Sequence, residues 1–515
     1  MRGRVLVTVA FLAAFASASA GKPKDSDARD AKGVVADVAK ALGADGLKSL
    51  RYSGTGYLYF FGEGYKPTDA WPKFNLKSYT RVLDLTNSAS EEKEVWTQFD
   101  DEIGGAFLKL KGESNSDTFL SGDSAWNIGG NGNPNPAPAA VEERQMQLAV
   151  TPHGWVQAAM NASPTAQSKT VNGKKMTVVS FSWKGKYKVN GYVDSQNMLA
   201  KVETWFIPSG WDGIGDSLVE TDFSDYRDFS GVKFPMKIVQ KEGGFPVLDL
   251  TVSEVQPNAA VKFDVPPAAR TAVVAPVMMV TQPLADGMWM IRGGGTQSVA
   301  VEFKDYMAVI DASATAERAR AVIGEVKKLA PNKPIRYEIH THHHFDHMAD
   351  LRTFAAEGAT IITSDISKPY YEKMIFNGPY TLSPDDFSKS PKPVKFLTVK
   401  DKYVLTDGDQ SIEIYSVPGN THAADMLMEY LPKAKTVVLV DIFNPAPPPR
   451  PDAPLPANIA SVGLKENVQS NLQRLKLDVK QFVSAHFAGP TPFEDLQKNI
   501  DVERDLVQKF AAAGK

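Results

Sequence analysis

The sequence has no cysteine among its 515 residues. Disulfide bonds, thiol nucleophiles, iron-sulfur clusters and thiolate zinc sites are therefore all excluded. A metal ion in this protein must be bound by histidine and carboxylate side chains. The chain contains only eight histidines, and these are the candidates for any such site together with aspartate and glutamate.

A strong net charge is also missing, since basic and acidic residues nearly balance to give a formal charge of -3. Such a chain has little electrostatic attraction for nucleic acid or for an anionic membrane, which favours a small molecule as its partner. Beyond the first twenty residues, no stretch approaches the roughly eighteen consecutive apolar residues of a membrane-spanning helix. We therefore expect no nucleic-acid partner and no stable membrane anchor, while the oligomeric state stays undetermined.

The N-terminal residues have the three parts of a secretory signal peptide. Arg2 and Arg4 precede an apolar run from Val5 to Phe15, and small residues lead up to Ala20. The run is too short to span a bilayer, which argues against a membrane anchor. The sequence predicts a signal peptide over residues 1–20, cleavage near Ala20, and a periplasmic or secreted mature protein.

A chain of this length is too long for one hydrophobic core, so at least two domains are expected. Between Leu50 and Val255, short runs of alternating apolar and polar residues are separated by Gly, Asn, Asp and Pro. This pattern predicts a mostly antiparallel β domain over residues 21–270. Its alternating strands and the segment 223–235 resemble the curved half-barrel domains of periplasmic lipoprotein carriers. That resemblance implies a lipid-binding role as an alternative to a structural or substrate-shaping one.

The pattern changes after a segment between Phe263 and Val277, whose prolines resist both helix and central strand. Residues 298–303 and 307–310 are predicted strands. A helix follows, with an apolar face from Ala319 to Leu329, and it ends before Pro331. Alternation of strands and helices is typical of an α/β sandwich, which predicts a second domain over residues 277–515.

A cluster of histidines follows the strand predicted at residues 335–339. Its spacing, His-x-His-x-Asp-His, comprises His342, His344, Asp346 and His347. Alternate residues of an extended segment point to the same side, so His342 and His344 can present two imidazoles to one metal ion. Asp346 and His347 lie at the turn into a helix and can face a second ion.

This motif at a strand-to-helix turn resembles the signature of the metallo-β-lactamase superfamily, whose fold is an αββα sandwich. The resemblance extends from about Pro283 to the C-terminus. It implies three further ligands, each after a predicted strand: His422 for the first ion, His486 for the second, and Asp441 as a carboxylate that bridges both. The implied first site is His342, His344 and His422, and the implied second site is Asp346, His347 and His486.

The other histidines and one further aspartate are not predicted to bind metal. Asp311 matches an aspartate that orders the loops beneath the site in this family. His340 lies two residues before the motif, and His343 is its variable position and points away from its neighbours, so both are expected to support the ligands or the structure. His153 stands alone in the N-terminal region and is expected at the surface or in a turn.

The resemblance implies two Zn²⁺ ions, or another divalent metal, in an exported hydrolase. Such an enzyme cleaves an ester, thioester, lactone or amide bond with a metal-bound hydroxide, and Asp346 is the expected catalytic residue that orients this nucleophile and shuttles its proton. Three alternatives stay open: a hydrolase specific for β-lactams, a periplasmic ligand- or lipid-binding protein with a structural metal site, and a mononuclear iron oxidoreductase. Structural sites are usually closed by four ligands, whereas seven predicted ligands indicate two metals.

Two segments are candidates for loops that select the substrate. Residues 368–395 contain Tyr370, Tyr371, Phe376 and Tyr380, and residues 445–456 are rich in proline. Ordinary surface packing explains both segments as well as a pocket-lining role does, and the sequence does not choose between these interpretations.

Overall fold

The structure is a computed structural model, and it describes residues 30–99, 105, 111–207, 212–445, 455, 458–459, 463–487 and 489–513. The predicted signal peptide and nearly all of the proline-rich segment 445–456 lie outside these residues. In the described part of the chain, no helix is both long and apolar enough to cross a membrane.

The N-terminal half is built on one large antiparallel sheet, which contains thirteen strands among the described residues. The first and last of these strands, β1 and β14, pair with each other near the middle of the sheet. The strand bounds are β1 Ser49–Tyr59, β2 Lys73–Asp84, β3 Ala89–Gln98, β4 Lys111–Gly112, β5 Ser114–Ser121, β6 Ser124–Ile128, β7 Pro134–Pro136, β8 Thr165–Val171, β9 Lys174–Trp183, β10 Tyr187–Val193, β11 Leu199–Phe206, β12 Ser217–Phe229, β13 Val232–Glu242 and β14 Phe245–Pro257. All but β4 belong to this sheet, which confirms the predicted antiparallel β region.

Short helices pack against this sheet and complete its core. Their bounds are α1 Ala31–Leu42, α2 Val141–Ala149, α3 Pro152–Met160 and α4 Pro267–Arg270, with a 3₁₀ turn at Pro138–Ala140. Apolar residues of the helices, such as Val38 of α1 and Trp155 of α3, pack with Tyr52 and Phe234 of the strands. Burying these large side chains supplies the main stabilisation of this half.

The prediction for His153 is wrong, because this residue is buried in α3 with 1% of its surface exposed. Its ring stacks on Phe234 with 6.2 Å between centroids, and Nε2 lies 3.3 Å from the carbonyl oxygen of Leu42. Burial lowers the pKa of His153 to about 4. Its neighbours Pro152 and Gly154 suggest a turn, but proline is equally suited to the first position of a helix.

The C-terminal half contains two facing sheets. Among the described residues, β15 to β21 form a seven-stranded sheet, and β22 to β25 with β27 and β28 form a six-stranded one. The bounds are β15 Val280–Ala285, β16 Met288–Gly293, β17 Thr296–Glu302, β18 Met307–Ile310, β19 Ile335–Ile339, β20 Thr360–Ser364, β21 Lys395–Val399, β22 Lys402–Thr406, β23 Ser411–Ser416, β24 Leu427–Leu431, β25 Thr436–Leu439, β26 Asn458–Ile459, β27 Gln481–Ser484 and β28 Thr491–Pro492. Apolar residues of both sheets, among them Ile310, Ile339, Ile414 and Val438, form the core between them.

Helices cover the outer faces of the two sheets. They are α5 Ala316–Leu329, α6 Ala349–Glu357, α7 Lys368–Tyr370, α8 Asp386–Lys389, α9 Gly463–Leu475 and α10 Glu494–Ala512, with a π-helical turn at Tyr371–Ile375 and a 3₁₀ turn at Pro432–Ala434. A further 3₁₀ turn, Asp212–Ile214, lies between β11 and β12 of the N-terminal half. Val322 of α5 and Phe354 of α6 pack on the seven-stranded sheet, whereas Leu472 of α9 and Ile500 of α10 pack on the six-stranded one. The order helix, sheet, sheet, helix confirms the predicted αββα sandwich.

The division into a domain of residues 21–270 and a domain of residues 277–515 stays a prediction. The N-terminal sheet ends with β14 at Pro257, and the first strand of the sandwich begins at Val280. The two halves still contact each other, because β4 pairs with β26. Independent folding of residues 277–515 remains a prediction.

Candidate metal centre

The seven predicted ligands all lie just beyond strands of the two facing sheets. The motif of residues 342–347 follows β19, Asp441 follows β25, His486 follows β27, and His422 lies in the loop between β23 and β24. β18 runs parallel to β19, and β25 runs parallel to β27. The fold therefore gathers side chains that are far apart in sequence at one edge of the sandwich.

Four of these residues form what we call the first donor group: His342, His344, His422 and Asp441. One ligand atom from each lies within 4.8 Å of the others. Oδ2 of Asp441 is 3.2 Å from Nε2 of His342 and 3.4 Å from Nε2 of His422. The imidazoles are buried, with the side chains of His342 and His344 fully covered.

The second donor group consists of Asp346, His347, Asp441 and His486, whose ligand atoms also lie within 4.8 Å of one another. Nε2 of His486 is 2.8 Å from Oδ1 of Asp441, and Nε2 of His347 is 2.9 Å from Oδ2 of the same carboxylate. Asp441 thus belongs to both groups, in the position expected of a bridging ligand. The side chains of Asp346 and His486 are 27% and 34% exposed, so this group is open to solvent.

The electrostatics of these residues fit divalent cations. Burial by itself raises the pKa of Asp441, but the imidazole of His347 and hydrogen bonds from its neighbours hold that pKa well below its usual range. Burial, with the nearby His347, lowers the pKa of His342 to about 4. Burial opposes protonation of His347, but the charges of Asp311, Asp346 and Asp441 raise its pKa well above the usual range. Imidazoles arranged around anionic carboxylates, without thiolates, are a donor set that Zn²⁺ and similar ions bind.

Asp311 holds the motif from beneath, as expected. Its Oδ2 accepts hydrogen bonds from the hydroxyl of Thr341 at 2.9 Å and from Nδ1 of His347 at 2.8 Å. Since a carboxylate accepts, Nδ1 of His347 carries the proton and Nε2 is left to face Asp441. Asp311 and Asp441 both have positive φ angles, 49° and 61°. Such strained backbone is typical of residues that a functional site holds in place.

His340 and His343 do not reach the two donor groups. Nδ1 of His343 lies 2.7 Å from Oδ1 of Asp425. His340 belongs to a fully buried cluster, in which its Nδ1 lies 3.4 Å from Asp350 and 3.7 Å from Glu338. Burial opposes protonation of His340, but hydrogen bonds and charges from the two carboxylates raise its pKa to about 10. No sequence motif marks this cluster, although Glu338 in a buried strand was a signal for it.

A loop of the N-terminal half covers the first donor group, which the sequence did not indicate. This loop, residues 60–65, follows β1, and Oε2 of Glu63 lies 3.2 Å from Nδ1 of His344. The hydroxyl of Tyr65 donates to the carbonyl of Asn420 at 3.1 Å. Burial, and then the charges of Asp346 and Asp441, raise the pKa of Glu63 well above its usual range. A single glutamate after a strand carries no motif, so only the folded structure reveals its position.

The aromatic residues of segment 368–395 pack within the protein. Tyr371 is fully buried, and its ring meets that of His340 edge-on with 5.1 Å between centroids. The hydroxyl of Tyr380 donates to the carbonyl of Gly213 in the N-terminal half. These contacts favour the packing interpretation for both tyrosines.

A cleft of about 310 Å³ opens beside the exposed side of the second donor group. Its walls include His486 itself and combine apolar side chains with one basic residue. Among the lining residues are Met278, Val280, Arg292, Gln297 and Phe487. The cleft therefore borders the second donor group at His486, its most exposed member.

In a comparison with known protein families, residues 291–486 match the family model described as "Metallo-beta-lactamase superfamily". The matched range contains all seven predicted ligands, and it confirms the resemblance inferred from the histidine motif. The chain is also similar to the solved metallo-beta-lactamase from Pontibacter korlensis, with 17% identity, 44% of this chain and 100% of that chain covered, and a TM-score of 0.34. The metallo-beta-lactamase from Hirschia baltica is 18% identical, with 44% of this chain and 98% of that chain covered and a TM-score of 0.32. A search of curated proteins found no match.

Proposed function

Since residues 291–486 form a domain of the metallo-beta-lactamase superfamily, we propose that this protein is a dinuclear metal-dependent hydrolase. Its substrate is a small molecule with an ester, thioester, lactone or amide bond, and its cofactors are two Zn²⁺ ions or other divalent ions. The observation that carries the proposal is the position of Asp441, which contributes one carboxylate to both donor groups. A single structural ion has no need for a second, solvent-open group.

In this proposal, His342, His344 and His422 hold one ion, Asp346, His347 and His486 hold the other, and Asp441 bridges them. When bound, such ions polarise a carbonyl group and make a water molecule acidic enough to react near neutral pH. Asp346 is the proposed catalytic residue. Burial opposes its ionisation, but the charge of His347 and hydrogen bonds from its neighbours hold the pKa of Asp346 below its usual range. Its anionic carboxylate can therefore accept a hydrogen bond from the attacking water and orient it.

The two donor groups differ in solvent exposure, and this difference indicates the side from which the substrate enters. The loop of residues 60–65 closes the first group, whereas Asp346 and His486 remain partly exposed. We therefore place the substrate in the cleft beside His486. Apolar walls with a basic Arg292 suit a compound that combines an apolar portion with a negatively charged group.

The alternatives predict different metal contents. An iron oxidoreductase needs one ion, and a ligand-binding protein with a structural site needs a closed set of ligands, so the solvent-open second group supports neither.

We also propose export through the signal peptide of residues 1–20. N-terminal sequencing of the protein recovered from the periplasm or medium tests this, with a mature start near Gly21 as the expected result.

The deciding experiment combines metal analysis with a substrate panel. The full-length protein, purified without added metal, is analysed by mass spectrometry and assayed with chromogenic esters, thioesters, lactones, amides and β-lactams. We expect about two equivalents of divalent metal, because the site offers ligands for two, and turnover that is lost on chelation and restored by Zn²⁺. One equivalent of iron that persists after zinc loading contradicts the proposal, as does a zinc-loaded protein that cleaves none of the panel.

A further inference from the structure

One ring nitrogen of His344 makes a hydrogen bond to the backbone, and the other makes none within the described part of the chain. Its Nε2 lies 3.1 Å from the backbone carbonyl oxygen of Gly64. Because a carbonyl oxygen only accepts hydrogen bonds, Nε2 carries the hydrogen and Nδ1 presents a lone pair. Nδ1 is buried and makes no hydrogen bond to the described residues. The N-terminal half therefore fixes the tautomer in which His344 can bind a metal through Nδ1.

On the N-terminal side, Oε2 of Glu63 lies 3.2 Å from Nδ1 of His344. Both atoms are acceptors, so a proton or a cation must lie between them for the contact to be favourable. The rings of His342 and His422 lie 4.6 and 4.4 Å from the ring of His344. The glutamate thus joins the part of the site where the first donor group converges.

The backbone around Glu63 is held in place by the C-terminal half. The backbone N–H of Ala424 donates to the carbonyl of Tyr65 at 2.7 Å. On the other side, the ring of Phe61 meets that of Phe345 edge-on at 6.0 Å. Residues 61–64 are all buried, which is unusual for a loop. The side chain of Glu63 therefore reaches the site from a fixed support.

We infer that Glu63 is a ligand of the first metal ion, so that the metal centre is assembled from both halves of the chain. This inference rests on the proposed function and extends it. It adds an eighth donor to the seven of the sandwich and gives the N-terminal half a direct part in metal binding. It also makes the first ion the more enclosed of the two, with substrate contacts left to the second donor group.

The test uses the full-length protein and the substitution Glu63→Gln. Glutamine keeps the size of the side chain, and its amide can donate a hydrogen bond to Nδ1 of His344, but it lacks the carboxylate charge. The matched control is Glu94→Gln, because Glu94 is also a glutamate of the N-terminal half, on β3, where it accepts a hydrogen bond from Ser116 at 3.0 Å. Glu63→Asp keeps the charge on a shorter side chain and serves as a second variant.

Three readouts are independent of turnover: metal content after dialysis against a chelator, Zn²⁺ affinity by chelator competition, and the visible spectrum of the Co²⁺-loaded protein. For Glu63→Gln we expect at least about a tenfold loss of affinity at one site, with the other site retained. The cobalt spectrum should change, and Glu94→Gln should match the wild type in all three. Glu63→Asp should bind the first ion more tightly than Glu63→Gln.

The outcomes separate this inference from the proposed function. A wild-type protein that binds no divalent metal overturns both. A wild type that binds two ions, with Glu63→Gln binding both as tightly and showing the same cobalt spectrum, overturns only the role of Glu63. In that case a proton between Glu63 and His344 explains their contact.

Discussion

Nδ1 of His347 donates a hydrogen bond of 2.8 Å to Oδ2 of Asp311, and this contact fixes which nitrogen of His347 faces the candidate metal centre. The same oxygen of Asp311 accepts from the hydroxyl of Thr341. The buried carboxylate of Asp311 therefore orients His347, a proposed ligand, and also holds Thr341, which lies just after the end of β19.

Asp311→Ala should weaken metal binding without removing a ligand. The substitution leaves Nδ1 of His347 without its acceptor, so we expect about a 10- to 100-fold loss of affinity at the second site. The comparison variant is Thr341→Val, which removes the hydroxyl that donates to Asp311 and lies 3.1 Å from Nδ1 of His342. It keeps the bond from His347 to Asp311 and should therefore have a much smaller effect at the second site. Chelator competition measures both, and equal affinities in Asp311→Ala and the wild type contradict the orienting role.

Asp346→Asn should fold and yet turn over slowly. The amide keeps the shape of the side chain but loses the charge that orients the attacking water, and losing such a group typically costs about two to four orders of magnitude in rate. The measurement is kcat on the substrate found in the panel, with circular dichroism to verify the fold. Asp45→Asn, at an exposed position outside the site, is the control. A variant that retains most of its turnover shifts support to the binding-protein alternative.

Gly62→Ala should disturb the contact between the two halves. Gly62 has a φ of 66°, and a Cβ added there lies 2.7 Å from Cβ of Phe345. We expect a destabilisation of about 1–3 kcal/mol beyond the backbone strain, with weakened binding of the first ion. Gly46→Ala isolates the strain, because Gly46 has a φ of 74° and no atom within 4 Å of an added Cβ. Similar losses of stability in the two variants, measured by chemical denaturation, would show that the contact with Phe345 is unimportant.

His153 should make the stability of the protein depend on pH. Its folded-state pKa of about 4 lies below the unfolded value of about 6.5. The neutral ring therefore contributes stability that is fully present above about pH 6.5 and is lost as pH falls toward about 4. His153→Gln keeps a donor toward the carbonyl of Leu42 and cannot titrate. Relative to this variant, we expect the wild type to lose about 2–3 kcal/mol of unfolding free energy between about pH 7.5 and about pH 4.5. Parallel stability curves for the two proteins contradict this expectation.

The sequence alone determined the class of the fold and the residues of the candidate centre. Alternation with period two predicts strands, and period 3.6 predicts helices, so the antiparallel sheet and the sandwich are both visible in local patterns. His342 and His344 lie two residues apart in an extended segment, a spacing that by itself turns two imidazoles to one side. His422, Asp441 and His486 were named because the resemblance to the metallo-β-lactamase superfamily implies a ligand after each of three further predicted strands.

Only the tertiary structure decided which residues of the N-terminal half reach the site and which polar groups lie buried. Glu63 belongs to no motif, and its position depends on how the loop after β1 docks on the sandwich. His153 was predicted at the surface or in a turn, but the packing of α3 against the sheet buries it. Both outcomes depend on contacts between segments far apart in the chain, whereas hydrophobic periodicity reports only which face of one element is buried. For this reason the sequence identified the candidate metal-binding residues of the sandwich, and the fold revealed the carboxylate of Glu63, which approaches them from the other half.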